Sequence, residues 1–535
     1  MSNDQRDKNA RNIRTEKPTA ARIAALLAEE WLGGYFVADH SACGNANIPN
    51  TEGDVFGWMN NRADWQKRNF VYANADVWAD DFKSGSDHYT SSSLPAGFDG
   101  IESVVVGYIS THGVTSGNTF TMSTGGTGHG GCGVSSNQMS FGENGLRYMF
   151  FSTCQSVRNV RPGDVWFGAA NGIRALFGYQ TNSVDSDAYG KYFFENWKKE
   201  EAKTTTAFLD ASWRISHDQI PVAAWFGPDQ ATADWFRDNE EYFQLGAISS
   251  NFISYSWYEN RSLTHEIRLL RVPVMTIRFH SPRVVEDVVP LINALAHYKY
   301  AAEIKTTIES GDNVCHGCLD GTVLVQNHRS GSIDLTFPTF SSPSTVAFSD
   351  SDAIAAATGY VRERQVAMRG IVGQEQGLTI ELVPTGIRHS ITASDDQSGK
   401  NSTRNLRHVT VIFRHSINGV TTIGTGGVLE VTLNGNREVC RVRSVLRDVA
   451  TTIREDFAID VASLQQKAEE RALSEIRLQP FVTDCRIIKS EFGYFAADES
   501  VAQEEAQPSF RILVEMHTGK FAKLIEKIYS ARQIS

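Results

Sequence analysis

Three short apolar runs in the first half of the chain predict buried strands. They span residues 104–109, 146–151 and 173–179, and they are rich in β-branched or aromatic side chains. Beyond the third run, apolar residues recur every four positions, as at Tyr189 and Phe193, which predicts amphipathic helices. Buried strands that alternate with such helices indicate an α/β domain with a mostly parallel sheet and helices on both faces.

The second half has a different pattern and predicts an α+β, strand-rich region. Its apolar or alternating runs predict strands at 272–279, 378–383, 409–414 and 428–432, and a hairpin formed by 492–495 and 508–514. Helices are expected over about 284–297 and 450–475, and the polar stretch 395–405 is expected to be a loop or a join.

These patterns predict at least two domains, because 535 residues are too many for one hydrophobic core. Residues 1–18 are polar and are expected to form a flexible tail. The α/β domain is predicted over 19–255, and the α+β region over 256–535. A further division of that region into subdomains at about 265–395 and 405–535 is left open.

Composition and charge exclude some classes of function. The chain is 41% hydrophobic and 21% charged, as in an ordinary folded protein, and its net charge of -11 disfavours a nucleic-acid-binding surface. No stretch is apolar enough for a signal peptide or a membrane span, so a cytoplasmic protein without a membrane partner is expected. Seven cysteines do not form a disulfide framework, and their odd number leaves at least one thiol free.

Two of the predicted strands end in residues that can carry chemistry. The run at 104–109 leads into His112 and Gly113, and the run at 146–151 leads into Cys154. The carboxyl ends of neighbouring parallel strands meet at one edge of the sheet, so an imidazole and a thiol are expected side by side. That pair suits nucleophilic thiol catalysis. The backbone N–H groups of Gly113 and Cys154 are the candidate oxyanion hole.

The two motifs, in this order and about 40 residues apart, resemble those of the caspase-like cysteine peptidases. This superfamily (clan CD) includes caspases, legumains, gingipains, clostripains and CHAT-domain peptidases. In it, an apolar strand followed by His-Gly precedes a second apolar strand followed by a small residue and Cys. The segment GFDGIESVVVGYISTHG resembles more specifically a little-characterised bacterial branch, and the likeness covers about residues 70–220.

The resemblance implies a cysteine endopeptidase with a caspase-like fold that needs no cofactor and acts on a protein or peptide. Cys154 would form the thioester acyl-enzyme, and His112 would donate and accept protons. Thr153 stands where many relatives have Ala or Ser, and Gln155-Ser156 departs from the caspase signature, so a preference for aspartate does not carry over. Two alternatives remain: a catalytically silent scaffold of the same fold, and a thiol amidase or acyltransferase with a non-protein substrate.

Three aspartates are weighed as substrate-binding residues because a pocket for a basic side chain would need a carboxylate near the dyad. Asp81, Asp164 and Asp185 all lie in segments that flank the strand ends, and Asp185 is the favoured one. Each of them would more commonly be a surface or capping residue.

Two cysteine-containing segments are weighed against the dyad. The glycine-rich loop at 123–133 contains His129 and Cys132, which could bind metal or rival the dyad, although a flexible loop beside the active site is favoured. Cys315 and Cys318 form a CxxC, and His328 could add a ligand, but the set is short of the four that a structural zinc site needs. No metal is therefore predicted. The second half shows no catalytic motif and is expected to contact a regulatory protein partner.

Overall fold

The structure is a computed structural model. It describes residues 32–60, 70–84, 100–158, 165–197, 203–241, 243–244, 246–263, 271–281, 285, 287–296, 302–341, 344–364, 373–375, 378–398, 402–447 and 449–534. The predicted tail at residues 1–18 lies outside these ranges. Within the ranges, no helix is both long and apolar enough to cross a membrane.

The first half contains nine strands and four α-helices among the described residues. Its strands are β1 (Leu32–Phe36), β2 (Phe70–Ala73), β3 (Val106–Ser110), β4 (Gly113–Ser116), β5 (Thr119–Ser123), β6 (Gly133–Ser135), β7 (Tyr148–Ser152), β8 (Ala175–Tyr179) and β9 (Pro221–Gly227). Its helices are α1 (Asn50–Asn60), α2 (Tyr189–Trp197), α3 (Thr204–Ile215) and α4 (Gln230–Asn239).

The main sheet of this half is mostly parallel, and the three predicted buried strands are its centre. Its strand order is β2-β1-β3-β7-β8-β9, with every neighbouring pair parallel except β8 and β9. Strands β4, β5 and β6 form a separate antiparallel sheet directly after β3. The predicted mixed α/β character is therefore confirmed.

The two faces of the main sheet are covered differently. Helices α1, α2 and α3 pack on the face that carries Tyr108 and Phe150. The opposite face, which carries Ile109 and Phe151, packs against Phe120 of β5 and against Trp166. The prediction of helices on both faces is thus wrong for the described residues, because the β4–β6 sheet and irregular segments bury the second face.

The second half adds strands and helices in an α+β arrangement. Its strands are β10 (Phe252–Ser262), β11 (Arg271–Phe279), β12 (Ile304–Ser310), β13 (Asn313–Cys318), β14 (Val323–Asn327), β15 (Ile333–Thr336), β16 (Gly373–Glu375), β17 (Leu378–Asp396), β18 (Ser402–Ile417), β19 (Val420–Ile423), β20 (Val428–Leu433), β21 (Val439–Ser444), β22 (Val449–Asp460), β23 (Asp484–Phe495), β24 (Glu505–Ala506), β25 (Pro508–Thr518) and β26 (Phe521–Ser530). Its helices are α5 (Val288–Ala296), α6 (Asp350–Arg364), α7 (Val461–Arg477) and α8 (Ala531–Ile534).

All the strands predicted in the second half are present, but two other predicted segments have the wrong bounds. The helix expected from residue 450 begins only at Val461, because residues 449–460 form β22, which pairs with β11. The β-branched residues at the start of this segment fit a strand. The polar stretch 395–405 contains the join between β17 and β18, but this join is shorter than predicted, since the two strands remain paired as far as Asp395 and Ser402.

Strand β10 connects the two halves, and the boundary predicted at residue 255 falls within it. On one side β10 pairs with β9 of the first half, and on the other it pairs with β17. The hairpin of β25 and β26 also joins the halves, because Leu524 forms a parallel bridge with Val184, after β8. This β25–β26 hairpin positions the second half over the strand ends of the first.

Candidate functional site

The structure brings His112 and Cys154 to the same edge of the main sheet. Strands β3 and β7 are parallel neighbours, and their last residues, Ser110 and Ser152, are paired. His112 and Cys154 each follow the end of their strand at the same distance along the chain. Both side chains are 0% exposed. The sequence prediction that the two strands end together is therefore confirmed, but the site is closed to solvent.

The contacts of His112 define the state of its imidazole. Nε2 lies 2.8 Å from the carbonyl oxygen of Ala46, and Nδ1 is buried without a hydrogen-bond partner among the described residues. A carbonyl oxygen only accepts, so Nε2 carries the proton and Nδ1 keeps its lone pair. Burial lowers the pKa of His112 to about 4, and the charge of Lys523 acts in the same direction. His112 is therefore neutral at pH 7.

Cys154 lies in a turn that is held by contacts with β4 and with Ser183. The next residue, Gln155, has a φ of 54°, and its side chain accepts a hydrogen bond from the backbone N–H of Thr115. The Sγ atom of Cys154 contacts Ser183, at 3.3 Å from the backbone N and 3.6 Å from Oγ. A positive φ at a non-glycine residue is a strained conformation that surrounding contacts must hold.

Gly113 packs directly against the backbone of Cys154. A Cβ atom at position 113 would lie 2.7 Å from the carbonyl oxygen of Cys154 and 2.8 Å from the ring of Phe120. Only a residue without a side chain fits this approach. The two backbone segments proposed as an oxyanion hole are thus in contact.

The β25–β26 hairpin covers the site. The ring of Phe521 stacks on the imidazole of His112, and the ammonium of Lys523 donates to Ser183 Oγ at 3.0 Å. At the hairpin turn, Thr518 Oγ1 accepts a hydrogen bond of 2.7 Å from the backbone N–H of Ala46. The hairpin therefore contacts the segments that flank both candidate residues.

A second histidine, which sequence reasoning missed, lies beside His112. The ring of His40 is 4.6 Å from that of His112, and its Nδ1 is 3.2 Å from Ser123 Oγ. Burial lowers the pKa of His40 to about 2, so this imidazole is also neutral. No motif marks His40 in the sequence, because only the fold brings residues 40, 112 and 123 together.

A disulfide joins Cys43 to Cys132, with their Cα atoms 5.6 Å apart. It connects the segment that carries His40 and Ala46 to the glycine-rich loop, where His129 stacks on Trp78. The two less favoured alternatives for Cys132, a metal ligand and a rival nucleophile, are therefore wrong for this oxidised state. Disulfides persist mainly in oxidising compartments, which argues against the cytoplasmic prediction.

The structure places the three candidate aspartates differently. Asp81 is buried and accepts a hydrogen bond from the backbone N–H of Trp78, which is the capping role weighed against substrate binding. Asp164 lies outside the described residues. Asp185 follows Ser183 closely, and its backbone N–H donates to the carbonyl oxygen of Leu524 at 2.8 Å.

Of the two candidate aspartates that the structure describes, Asp185 is the one that is brought to the candidate site. Its carboxylate accepts a hydrogen bond of 3.1 Å from Asn50. Burial raises the pKa of the Asp185 carboxyl, while the nearby charge of Lys523 opposes the rise.

The CxxC does not form a metal centre in the described part of the chain. Cys315 and Cys318 form no disulfide and lie on β13, where residues three apart point to opposite faces of a strand. Across the described ranges, no group of three or more His, Cys, Asp or Glu side chains is placed to hold a metal ion.

One comparison with known protein families covers the region of the site. Residues 33–258 match the sequence profile of a family described as a domain of unknown function (DUF6345). The matched region contains His112 and Cys154, whereas Phe521 and Lys523 lie outside it. Among solved structures, an uncharacterized protein from Eubacterium rectale ATCC 33656 is similar at 11% identity, covering 49% of this chain and 84% of that chain, with a TM-score of 0.31. No curated protein matches the chain.

Proposed function

We propose that this protein is a caspase-like cysteine endopeptidase that uses Cys154 as nucleophile and His112 as general base and acid. One observation carries the proposal: the ends of two neighbouring parallel strands hold a thiol and an imidazole, and the contact of His112 Nε2 with Ala46 leaves Nδ1 as a proton acceptor. A thiol and a neutral imidazole with a fixed tautomer are the groups that thiol acyl transfer uses. In the closed state the Sγ atom of Cys154 contacts Ser183 and is not hydrogen-bonded to Nδ1 of His112, so the two side chains must approach each other for the reaction.

The chemistry would run in two balanced stages. His112 Nδ1 takes the proton of the Cys154 thiol, and the thiolate attacks the carbonyl carbon of the peptide bond. The C–N bond then breaks, the amine leaves with the proton from the imidazolium, and a thioester remains on Cys154. In the second stage, His112 takes a proton from water, the hydroxide attacks the thioester, and Cys154 leaves as the thiol while the acid product is released.

The negative charge that develops on the substrate oxygen needs fixed donors. The backbone N–H groups of Gly113 and Cys154 are our candidates, and the close approach of Gly113 to the carbonyl oxygen of Cys154 supports this choice. Each donor of this kind typically contributes a rate factor of about 100 to 1000.

Catalysis in this form of the protein requires the β25–β26 hairpin to move, because both reacting side chains are 0% exposed. The hairpin contacts the site through Thr518, Phe521, Lys523 and Leu524. We assign its displacement to a regulatory protein partner that binds the second half of the chain, which is the role expected for that half.

The test is covalent labelling of Cys154 by a peptide acyloxymethyl ketone, read by intact mass. The protein used is the full chain with Leu524→Pro, which removes the N–H that Leu524 donates to Ser183. The hydrogen bonds between β25 and β26 are retained, because the backbone of Leu524 bonds to Ser183 and Asp185 and not to β25. Labelling should disappear with Cys154→Ala and with His112→Ala. Cys440→Ala is the matched control, because Cys440 is also a buried free thiol.

The second candidate is a silent scaffold, and the complete burial of His112 and Cys154 favours it. It predicts that a folded Leu524→Pro protein is not labelled, or is labelled equally with and without His112. A thiol amidase on a non-protein substrate would be labelled in the same way as a peptidase but would cut no peptide library.

A further inference from the structure

The β25–β26 hairpin binds the candidate site through its backbone, as an extended peptide would. Leu524 donates its N–H to the carbonyl oxygen of Ser183 at 3.1 Å and accepts from the N–H of Asp185 at 2.8 Å. Strand addition of this kind is a general mode of peptide recognition. The segment that receives the strand is the one whose Ser183 contacts the Sγ atom of Cys154.

Lys523 is an unusual residue to find at this position. Its side chain is 1% exposed, and its ammonium donates to Ser183 Oγ. Burial of an ammonium is costly unless other groups stabilise the charge. Among the described residues no carboxylate lies within ion-pair distance of Lys523, and the acid it acts on electrostatically is Asp185.

Ser183 and Asp185 therefore form a small polar site beside Cys154 that accepts a cation. Ser183 Oγ provides the acceptor close to the ammonium, and the half-buried carboxylate of Asp185 provides the opposite charge. Asn50 holds that carboxylate in place through a hydrogen bond of 3.1 Å. When the hairpin leaves, both groups lose the cation that they stabilise.

We propose that residues 521–524 occupy the site as a built-in substrate mimic, and that the enzyme cuts peptides with a lysine or arginine next to the scissile bond. In this arrangement Lys523 takes the place of the substrate side chain, and Asp185 with Ser183 selects it. The inference rests on the proposed function, because it names the substrate class of the same site. Asp185 is a specificity residue here and takes no part in the bond-breaking steps.

The experiment compares labelling rates of Leu524→Pro with three ketone probes that differ only in the residue next to the electrophile: lysine, norleucine or aspartate. The lysine probe should react at least about tenfold faster than norleucine, because its ammonium, like that of Lys523, would donate a hydrogen bond to Ser183 Oγ and be attracted by the charge of Asp185. Adding Asp185→Asn should reduce the ratio of the lysine rate to the norleucine rate to below about threefold.

The outcomes separate the two proposals. Equal rates with all three probes, or a lysine preference that survives Asp185→Asn, would overturn the substrate assignment and leave the nucleophile proposal standing. A folded protein that no probe labels would overturn the proposed function itself. As a second measure, Lys523→Met in the full chain should raise the labelling rate with the lysine probe, whereas Lys527→Met should not, because Lys527 pairs with Glu475 away from Cys154.

Discussion

The ring of Phe521 lies nearly parallel to the imidazole of His112, with 18° between the planes and 5.8 Å between the centroids. Phe521 is 3% exposed, so the contact closes the site from the side of the hairpin. The closed state is thus a packed interface, and changes at this interface are expected to alter access to Cys154.

Phe521→Ala should increase the accessibility of Cys154. The substitution removes the ring above His112 and leaves a cavity, at a cost of about 3–5 kcal/mol in stability, the usual range for a buried phenylalanine. Alkylation of the native protein by iodoacetamide, followed by peptide mass spectrometry, measures the effect. Phe510→Ala is the control, because this equally buried ring on β25 packs on Phe492. Equal Cys154 modification in both variants would contradict the prediction.

Acid should destabilise the protein through His112. Burial lowers the pKa of His112 from 6.5 to about 4, so the unfolded chain binds the proton at a higher pH than the folded chain. The stability that the neutral imidazole contributes is present above pH 6.5 and is lost as the pH falls towards 4.

His112→Gln removes this contribution and makes the effect measurable. Between pH 7.5 and 5, the free energy of unfolding of the wild type should fall by about 2 kcal/mol more than that of His112→Gln, from 1.36 kcal/mol per pKa unit. Urea unfolding at both pH values measures it. A buried group that His112 does not influence, such as Asp54 with its pKa raised to about 6, titrates in both proteins and cancels. Parallel pH dependences would refute the prediction.

Loss of the Cys43–Cys132 disulfide should destabilise the first half. The bond closes a loop with a sequence separation of 89, for which chain entropy predicts a contribution of about 4–5 kcal/mol. Cys43→Ala with Cys132→Ala should therefore lower the midpoint of thermal unfolding, and reductant should lower it in the wild type only. A midpoint that reductant leaves unchanged in the wild type would show that the bond is absent or unimportant.

Gly113→Ala should destabilise the protein and disturb the site. The added Cβ would lie 2.7 Å from the carbonyl oxygen of Cys154, which forces the backbone to shift at a typical cost of about 1–3 kcal/mol. Chemical denaturation gives the change in stability. Gly168→Ala is the control, since a Cβ there meets open space. The prediction fails if both substitutions are equally well tolerated.

The sequence predicted those parts of the site that depend on local patterns. The apolar runs that end near His112 and Cys154 indicate strands by themselves, and parallel strands bring their carboxyl ends together. The helix predicted at 450–460 was wrong because the conformation of this segment depends on a distant one. Its charged residues resemble those of the following helix, but the segment pairs with β11 and forms a strand.

The contact of the β25–β26 hairpin with the candidate site could not be predicted from the sequence. Lys523 and Ser183 lie 340 positions apart, and nothing local to either residue indicates the other. The same holds for His40 beside His112, and for Cys43 with Cys132 among seven cysteines. These pairs depend on tertiary packing, which hydrophobic periodicity does not encode.

The separation between Ser183 and Lys523 has a consequence during synthesis. At a translation rate of about 5–20 residues per second, the ribosome needs roughly 20–70 s to extend the chain from one residue to the other. For that interval the nascent first half holds Cys154 and His112 without Phe521 and Lys523 above them. Each newly made molecule would therefore pass through a stage in which the β25–β26 hairpin does not yet cover the site. During this stage, chaperones or neighbouring nascent chains could contact the Cys154 thiol before β26 is in place.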